Sequence, residues 1–425
     1  MLRWLYARWM FAWETALTTR DTNRIVRPLE WGFDWLPQPA NDPKTRSIAP
    51  PALDGPSEAE PSAPSQGDRP DEISGLDRMI SLSAELAAAS DRFFAYRTPT
   101  DFRLERRHPQ LFPTNVRPET LAQDADLKRR ADAGDLAEAE FLRFTSPLRT
   151  PHPENDQVNA RWYPASAAQQ EKFRRLGKPR QALIVMPQWN ADAFSHNALC
   201  EIFNRFGISC LRLSKPYHDI RRPAELERSD YAVSANIGRT MSACRQAVTD
   251  IRSCIDWLEQ QGYEQFGVMG TSLGSCYAFI AAAHDPRLQV VAANHASTWF
   301  GDVVWTGQST RHIREAFENA GLTQPTVREI FRAISPMAYM DRFCAQPKEV
   351  LIVHATYDLT FLEEFSQDVL ANFDRRGFRY TARTLPCGHY TTGETPYKYI
   401  DAWYLGKFIH DAYKRLAFAE MKAKP

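Results

Sequence analysis

No two cysteines in this sequence are spaced as CxxC. The seven cysteines are scattered singly from Cys200 to Cys387. An odd number without paired spacing argues against a disulfide framework and a cysteine zinc site, and predicts reduced, mostly core thiols of an intracellular protein. Net charge is also missing: 52 Lys and Arg balance 52 Asp and Glu. No overall field therefore draws the chain to nucleic acid. Long apolar runs are absent as well. Nothing approaches the ~20 residues of a membrane-spanning helix. Near the N-terminus the longest run is Trp9–Trp13, bounded by Arg8 and Glu14. It lacks the clean apolar core and small-residue cleavage site of a secretory signal. The expectation is a cytoplasmic protein, with one reservation about residues 1–35.

What is present is ample material for a core: 43% of the 425 residues are hydrophobic, enough for one large domain with appendages or for two. Residues 1–37 read as an aromatic helical segment. Leu2, Leu5, Tyr6, Trp9, Met10, Trp13, Ala16 and Leu17 share one broad helical face. Arg3, Arg8, Glu14, Thr15 and Thr18 take the other, and Trp4 and Phe11 break the pattern. So much aromatic surface must be covered. Docking on the protein's own body ranks first, ahead of a partner subunit or peripheral membrane contact through residues 1–20.

Residues 38–72 carry eight prolines among Ser, Asp, Glu and Ala. Such a stretch cannot bury enough apolar area to offset its ordering entropy and reads as a disordered linker. Residues 73–138 read as a helical segment packed on the core: 74–97 return to helical spacing, and 117–138 are charged and alanine-rich.

The pattern changes from about 139. Phe141–Phe144 and Ala160–Tyr163 look like paired strands. Ala182–Met186, Ile208–Leu213, Phe266–Met269, Leu288–Ala293, Val350–His354 and Phe378–Ala382 read as further strands. Helical patterns separate them, among them a face stepping by threes and fours from Ile237 to Leu258, stopped by Gly262. A last helix spans about 398–418. Strands this apolar, alternating with helices, predict a mostly parallel central sheet covered on both faces. Residues 298–345 hold helices without a strand. This insertion, before the strand 350–354, sits where open α/β sheets bind ligands.

The chemistry centres on Gly270-Thr271-Ser272-Leu273-Gly274, between a strand and an alanine-rich helix. Glycines on both sides of the serine let strand and helix pass closely, and the serine is held strained at the tip. The Leu273 N–H opens the helix, pointing at any anion formed nearby. The plain structural alternative is a strand–helix connection without chemistry. A serine nucleophile needs a base oriented by a third group, here in the order Ser, acid, His. Asp358 follows the strand 350–354, and His389 lies in the loop after the last strand. An exposed turn aspartate and a polar loop histidine are the competing readings. A second oxyanion donor is expected from Pro187-Gln188-Trp189-Asn190. Pro187 has no N–H, so Gln188 or Trp189 supplies it, with Trp189 favoured. Tyr217, His218, His295, Trp299 and Trp305 are candidates for lining the substrate site, with loop-holding hydrogen bonds as the alternative.

With these motifs the chain resembles the α/β-hydrolase superfamily over about 140–418. An aromatic N-terminal helix followed by Gly-Thr-Ser-Leu-Gly is most similar to the abhydrolase domain-containing protein 18 group. The resemblance implies an α/β-hydrolase domain over 139–425 and hydrolysis of an ester, thioester or amide without a cofactor or metal. It departs from the family in having Pro-Gln-Trp-Asn where a His-Gly pair is usual. The expected activity is that of a serine hydrolase on a small-molecule or lipid carboxylic ester (or thioester). Acyl transfer by the same triad and a non-catalytic interaction protein are the rivals.

Overall fold

The computed structural model describes residues 2–21, 23–37, 69–108, 125–126, 129–130, 132–135 and 137–423. Most of the expected linker 38–72 lies outside them, as does much of 117–138. Among the described residues nine strands form one sheet in the order β1-β2-β3-β5-β4-β6-β7-β8-β9. They are β1 Arg103–Arg107, β2 Ala139–Thr145, β3 Gln157–Tyr163, β4 Gln181–Met186, β5 Ile208–Leu213, β6 Gln265–Thr271, β7 Leu288–Asn294, β8 Glu349–Ala355 and β9 Thr381–Leu385. The first three pair antiparallel, and β3 runs antiparallel to β5. From β5 to β9 every pairing is parallel.

The helices used below are α1 Leu2–Thr18, α2 Arg69–Ala88, α3 Asn197–Arg205, α4 Ile237–Gln260, α5 Leu273–His284, α6 Phe300–Thr306, α7 Glu363–Arg375 and α8 Tyr397–Ala423. Alternate residues of each central strand point to opposite faces, so the sheet feeds two cores. Ile184, Val268, Val291 and Ile352 face α4, α5 and the insertion. Leu183, Met269, Ala292 and Val353 face α1, α3 and α8. Burial on both faces is why these strands read as continuous apolar runs.

Several expectations are corrected. The expected linker ends early, because α2 already begins at Arg69. A proline is tolerated in a helix's first turn, where no backbone donor is needed, so Pro70 does not delay it. The segment 73–138 is not helical throughout: after α2 and a single turn to Phe93 comes β1. Its sequence, Arg-Leu-Glu-Arg-Arg, lacks apolar alternation because it is an edge strand, held by charged pairs such as Arg103–Glu105 at 2.8 Å. The last strand is Thr381–Leu385 rather than 378–382. Phe378 and Tyr380 pack instead on Phe373 of α7, with ring centroids 5.1 and 5.3 Å apart.

Helix α1 docks on the body, but on a different stripe from the one hydropathy suggests. Met10, Glu14 and Thr18 are buried, four residues apart, whereas Trp4, Leu5, Trp9 and Phe11 are exposed. Glu14 and Thr18, expected on the wet face, are the docked ones because the body offers them hydrogen-bond partners. No helix among the described residues is long and apolar enough to cross a membrane.

Candidate active site

Ser272 joins β6 to α5 at φ 57°, ψ −120°, a backbone conformation costly to a residue with a Cβ. The flanking glycines explain how the chain reaches it. A Cβ on Gly270 would lie 2.1 Å from the Gly274 carbonyl oxygen, and one on Gly274 would lie 2.2 Å from the Met186 carbonyl oxygen. Only glycine permits the first turn of α5 to press this closely on the ends of β6 and β4. The Ser272 N–H donates to the Asn294 carbonyl at 2.8 Å, tying the turn to β7.

The Ser272 Oγ lies 2.9 Å from His389 Nε2, and His389 Nδ1 lies 2.9 Å from Asp358 Oδ2. The other carboxylate oxygen accepts the N–H groups of Thr360 and Phe361, both at 2.7 Å. Phe361 stacks on the His389 ring, 5.3 Å between centroids and 8° between planes. Burial alone would raise the Asp358 pKa. The charge of His389 and the hydrogen bonds from His295 and His389 outweigh it and hold the carboxyl well below the ordinary carboxylate range. An ionised carboxylate only accepts, so Nδ1 of His389 carries a proton, and in the neutral ring Nε2 is left to accept from Ser272. Burial works against a charged His389, but Asp358, with a smaller contribution from Glu14, holds its pKa above the ordinary value.

His295 was expected to line the substrate site. It is instead a second imidazole on the acid, with Nδ1 2.8 Å from the same Asp358 oxygen. Burial pulls its pKa down and disfavours the charged form. His295, Asp358 and His389 also have donor atoms within 4.8 Å of one another. Ligands around one tetrahedral ion at ~2.0 Å would stand about 3.3 Å apart. The observed N···O distances of 2.8 and 2.9 Å fit hydrogen bonds better.

The loop after β4 is held from several sides. Lys215 Nζ donates to the Gln188 carbonyl at 2.9 Å, and the Asn190 N–H donates to His218 Nε2 at 3.1 Å. Trp189 Nε1 donates to the Ser229 carbonyl at 3.0 Å. Trp189 thereby faces Ser272 and Leu273 across a narrow cavity of about 50 Å³, while Gln188 does not line it. Val233, Cys276, Phe300, Val303, Val304 and Phe361 supply apolar walls, and no charged side chain lines it among the described residues.

The structure does not bring Tyr217, His218, Trp299 or Trp305 to this cavity. Tyr217 and His218 are buried behind it. Tyr217 packs edge-on to Tyr231 at 5.6 Å, and His218 braces the loop after β4. On α6 the spacing of Phe300, Val303 and Val304 turns one face inward. Trp299 and Trp305 fall outside that face, against Arg328 and Arg314 respectively.

A sheet with this order and direction, with a serine at the tight turn after β6 and an acid and a histidine following β8 and β9, has the arrangement of the α/β-hydrolase fold. Within that class, residues 195–356 match the family described as alpha/beta hydrolase domain containing 18. The matched range contains Ser272 and ends before Asp358 and His389. No curated protein sequence matches the chain. Among solved structures, a Pyrococcus furiosus esterase is similar at 10% identity and a TM-score of 0.45, over 67% of this chain and 95% of that one. Acetyl xylan esterase 1 from a Thermoanaerobacterium species gives 13% and 0.48, over 78% and 93%. The acetyl xylan esterase of a Paenibacillus species gives 12% and 0.47, over 80% and 96%. Likeness at this level assigns neither substrate nor residue roles to this chain.

Proposed function

We propose that this protein is a serine hydrolase acting on a carboxylic ester through an acyl-enzyme intermediate. The observation that carries the reading is the continuous hydrogen-bonded line from Ser272 Oγ through His389 to Asp358. Ser272 attacks the acyl carbonyl while His389 Nε2 takes its proton. The tetrahedral oxyanion is met by the N–H of Leu273, at the start of the 12-residue α5, and by that of Trp189. Each such donor contributes about 3 kcal/mol. On collapse, His389 returns the proton to the leaving alcohol. Water, deprotonated by the same imidazole, then releases the acid and restores Ser272. Asp358 keeps the imidazole in the Nδ1–H tautomer and stabilises its charged form. The experiment that tests the reading is hydrolysis of p-nitrophenyl esters together with fluorophosphonate labelling. Both should vanish in Ser272→Ala, and hydrolysis that persists in this variant would refute the assignment.

The imidazole must be neutral to accept the proton. Because its pKa is raised, kcat/KM should climb with pH through a midpoint above 6.5, the ordinary histidine value. A pH–rate profile with its acid limb below that value contradicts the role given to Asp358.

Among the described residues no charged side chain lines the acyl cavity, so a second carboxylate on the acyl chain would be buried without a charged partner. The p-nitrophenyl ester of butyrate should therefore exceed that of hemisuccinate in kcat/KM by more than about tenfold, since one unpaired buried charge costs well over 1.4 kcal/mol. Equal rates would show that the acyl group binds elsewhere.

A further inference from the structure

The loop that carries His389 ends on a carboxylate from the far end of the chain. Glu14, fully buried on α1, accepts the Tyr390 N–H on Oε1 at 2.8 Å. Its Oε2 accepts the Thr391 N–H and the Thr391 hydroxyl, both at 3.0 Å. The same hydroxyl oxygen accepts the Gly388 N–H at 2.6 Å. Three backbone amides that flank His389 thus converge on Glu14, two directly and one through Thr391. The approach is so close that a Cβ on Gly388 would lie 2.4 Å from Glu14 Oε2. Elsewhere α1 grips the same region: the Tyr6 hydroxyl donates to the Pro386 carbonyl, and Thr18 donates to the Gln308 side chain at the insertion. Within the docked stripe Met10 supplies the apolar contact and Thr18 the bond to the insertion. Burial raises the Glu14 pKa and the N–H groups of Tyr390 and Thr391 work against that, so a carboxylate buried there with every bond directed at one four-residue loop needs another reason.

We propose that Glu14 is a positioning residue for His389: its carboxylate gathers the amides of the loop 388–391 and holds the imidazole between Ser272 and Asp358. The proposal rests on His389 being the general base. It makes α1 part of the catalytic unit, since the loop does not supply this anchor from its own neighbourhood. Glu14 acts on the imidazole by geometry and by charge. The groups facing His389 are Asp358 and His295, which follow neighbouring strands, Ser272, the adjacent Tyr390, and Glu14 from α1. Those facing Glu14 are His389, Asp358 and Cys387. Losing the Glu14 charge therefore leaves Asp358 as the carboxylate sustaining the imidazolium.

The test uses the full chain with ring-labelled histidine. The His389 signal is assigned by its loss in His389→Ala. In Glu14→Gln the His389 titration midpoint should fall, and kcat on p-nitrophenyl butyrate should fall about 10- to 100-fold with KM within about twofold. Glu14→Asp keeps the charge but is one methylene too short for the loop, so it should hold the midpoint and still lose kcat. Thr18→Val weakens docking of the same helix without touching the loop, and should leave the midpoint where it is. An unchanged midpoint and kcat in folded Glu14→Gln overturns the proposal. If that variant does not fold, a Glu14→Asp kcat within twofold of the parent overturns it equally. Should the parent show no Ser272-dependent hydrolysis, the hydrolase reading fails, and the His389 midpoint still decides whether Glu14 acts on the ring.

Discussion

Ser272→Ala and His389→Ala should each cut ester turnover by about 10⁴- to 10⁶-fold, and the double variant should be little worse than either. Serine without its base is a weak nucleophile, and the base without serine has nothing to activate. The two groups share one hydrogen bond, 2.9 Å long, so removing either removes the same proton transfer. What remains comes from the oxyanion donors and the cavity. The measurement is turnover of the single and double variants at one pH, with folding checked by circular dichroism. Multiplicative losses would mean that the two side chains act independently, and the shared proton transfer would have to be abandoned.

The second large effect is on stability. Arg221 and Asp250 form an ion pair of 2.9 Å with both side chains fully buried. Arg221 Nε also donates to the Asn155 carbonyl at 2.8 Å, and Nη1 to the Ser214 carbonyl at 2.9 Å. Asp250 accepts from the Ser146 hydroxyl at 2.7 Å. The pair locks α4 to the loop that follows β5, behind the residues bracing Trp189. Burial pushes the Asp250 pKa up, and the Arg221 charge opposes it. Asp250→Ala would strand a buried guanidinium and should cost about 3–5 kcal/mol. Replacing both partners with apolar residues, Arg221→Met with Asp250→Leu, should recover much of that loss, because no charge is then left unpaired. Chemical denaturation of the three variants provides the check. A double variant as unstable as Asp250→Ala would show that the carbonyl bonds of Arg221 matter more than the ion pair.

The fold was readable because its signals are local. Ala182–Met186 and Ile208–Leu213 are continuous apolar runs fit for strands buried on both faces, and the four-and-three spacing from Ile237 to Leu258 fits one helix face. The strand, glycine-flanked serine and helix announced the turn at Ser272 in a single ten-residue stretch. Asp358 could be singled out because it follows an apolar strand, and His389 because it lies in a glycine-containing loop after the last strand, in the required order. β1 and the true limits of β9 were hidden because edge strands need no apolar alternation. Trp299 and Trp305 misled because aromatic content does not say which way a helix is turned.

Glu14 was misjudged for a related reason. Hydropathy scores a glutamate as exposed, so it does not mark the stripe of Met10, Glu14 and Thr18, spaced by four, as the docking face. Periodicity by itself determined the parallel sheet, its covering helices, the interrupting insertion and the serine turn, because each is written in neighbouring residues. Tertiary structure decided that His295 shares Asp358 with His389, that His218 and Lys215 brace the loop of Trp189, and that Glu14 anchors the histidine loop. Those contacts join residues far apart in sequence, and a polar side chain is buried or exposed according to the partners that packing brings to it, which no local pattern encodes.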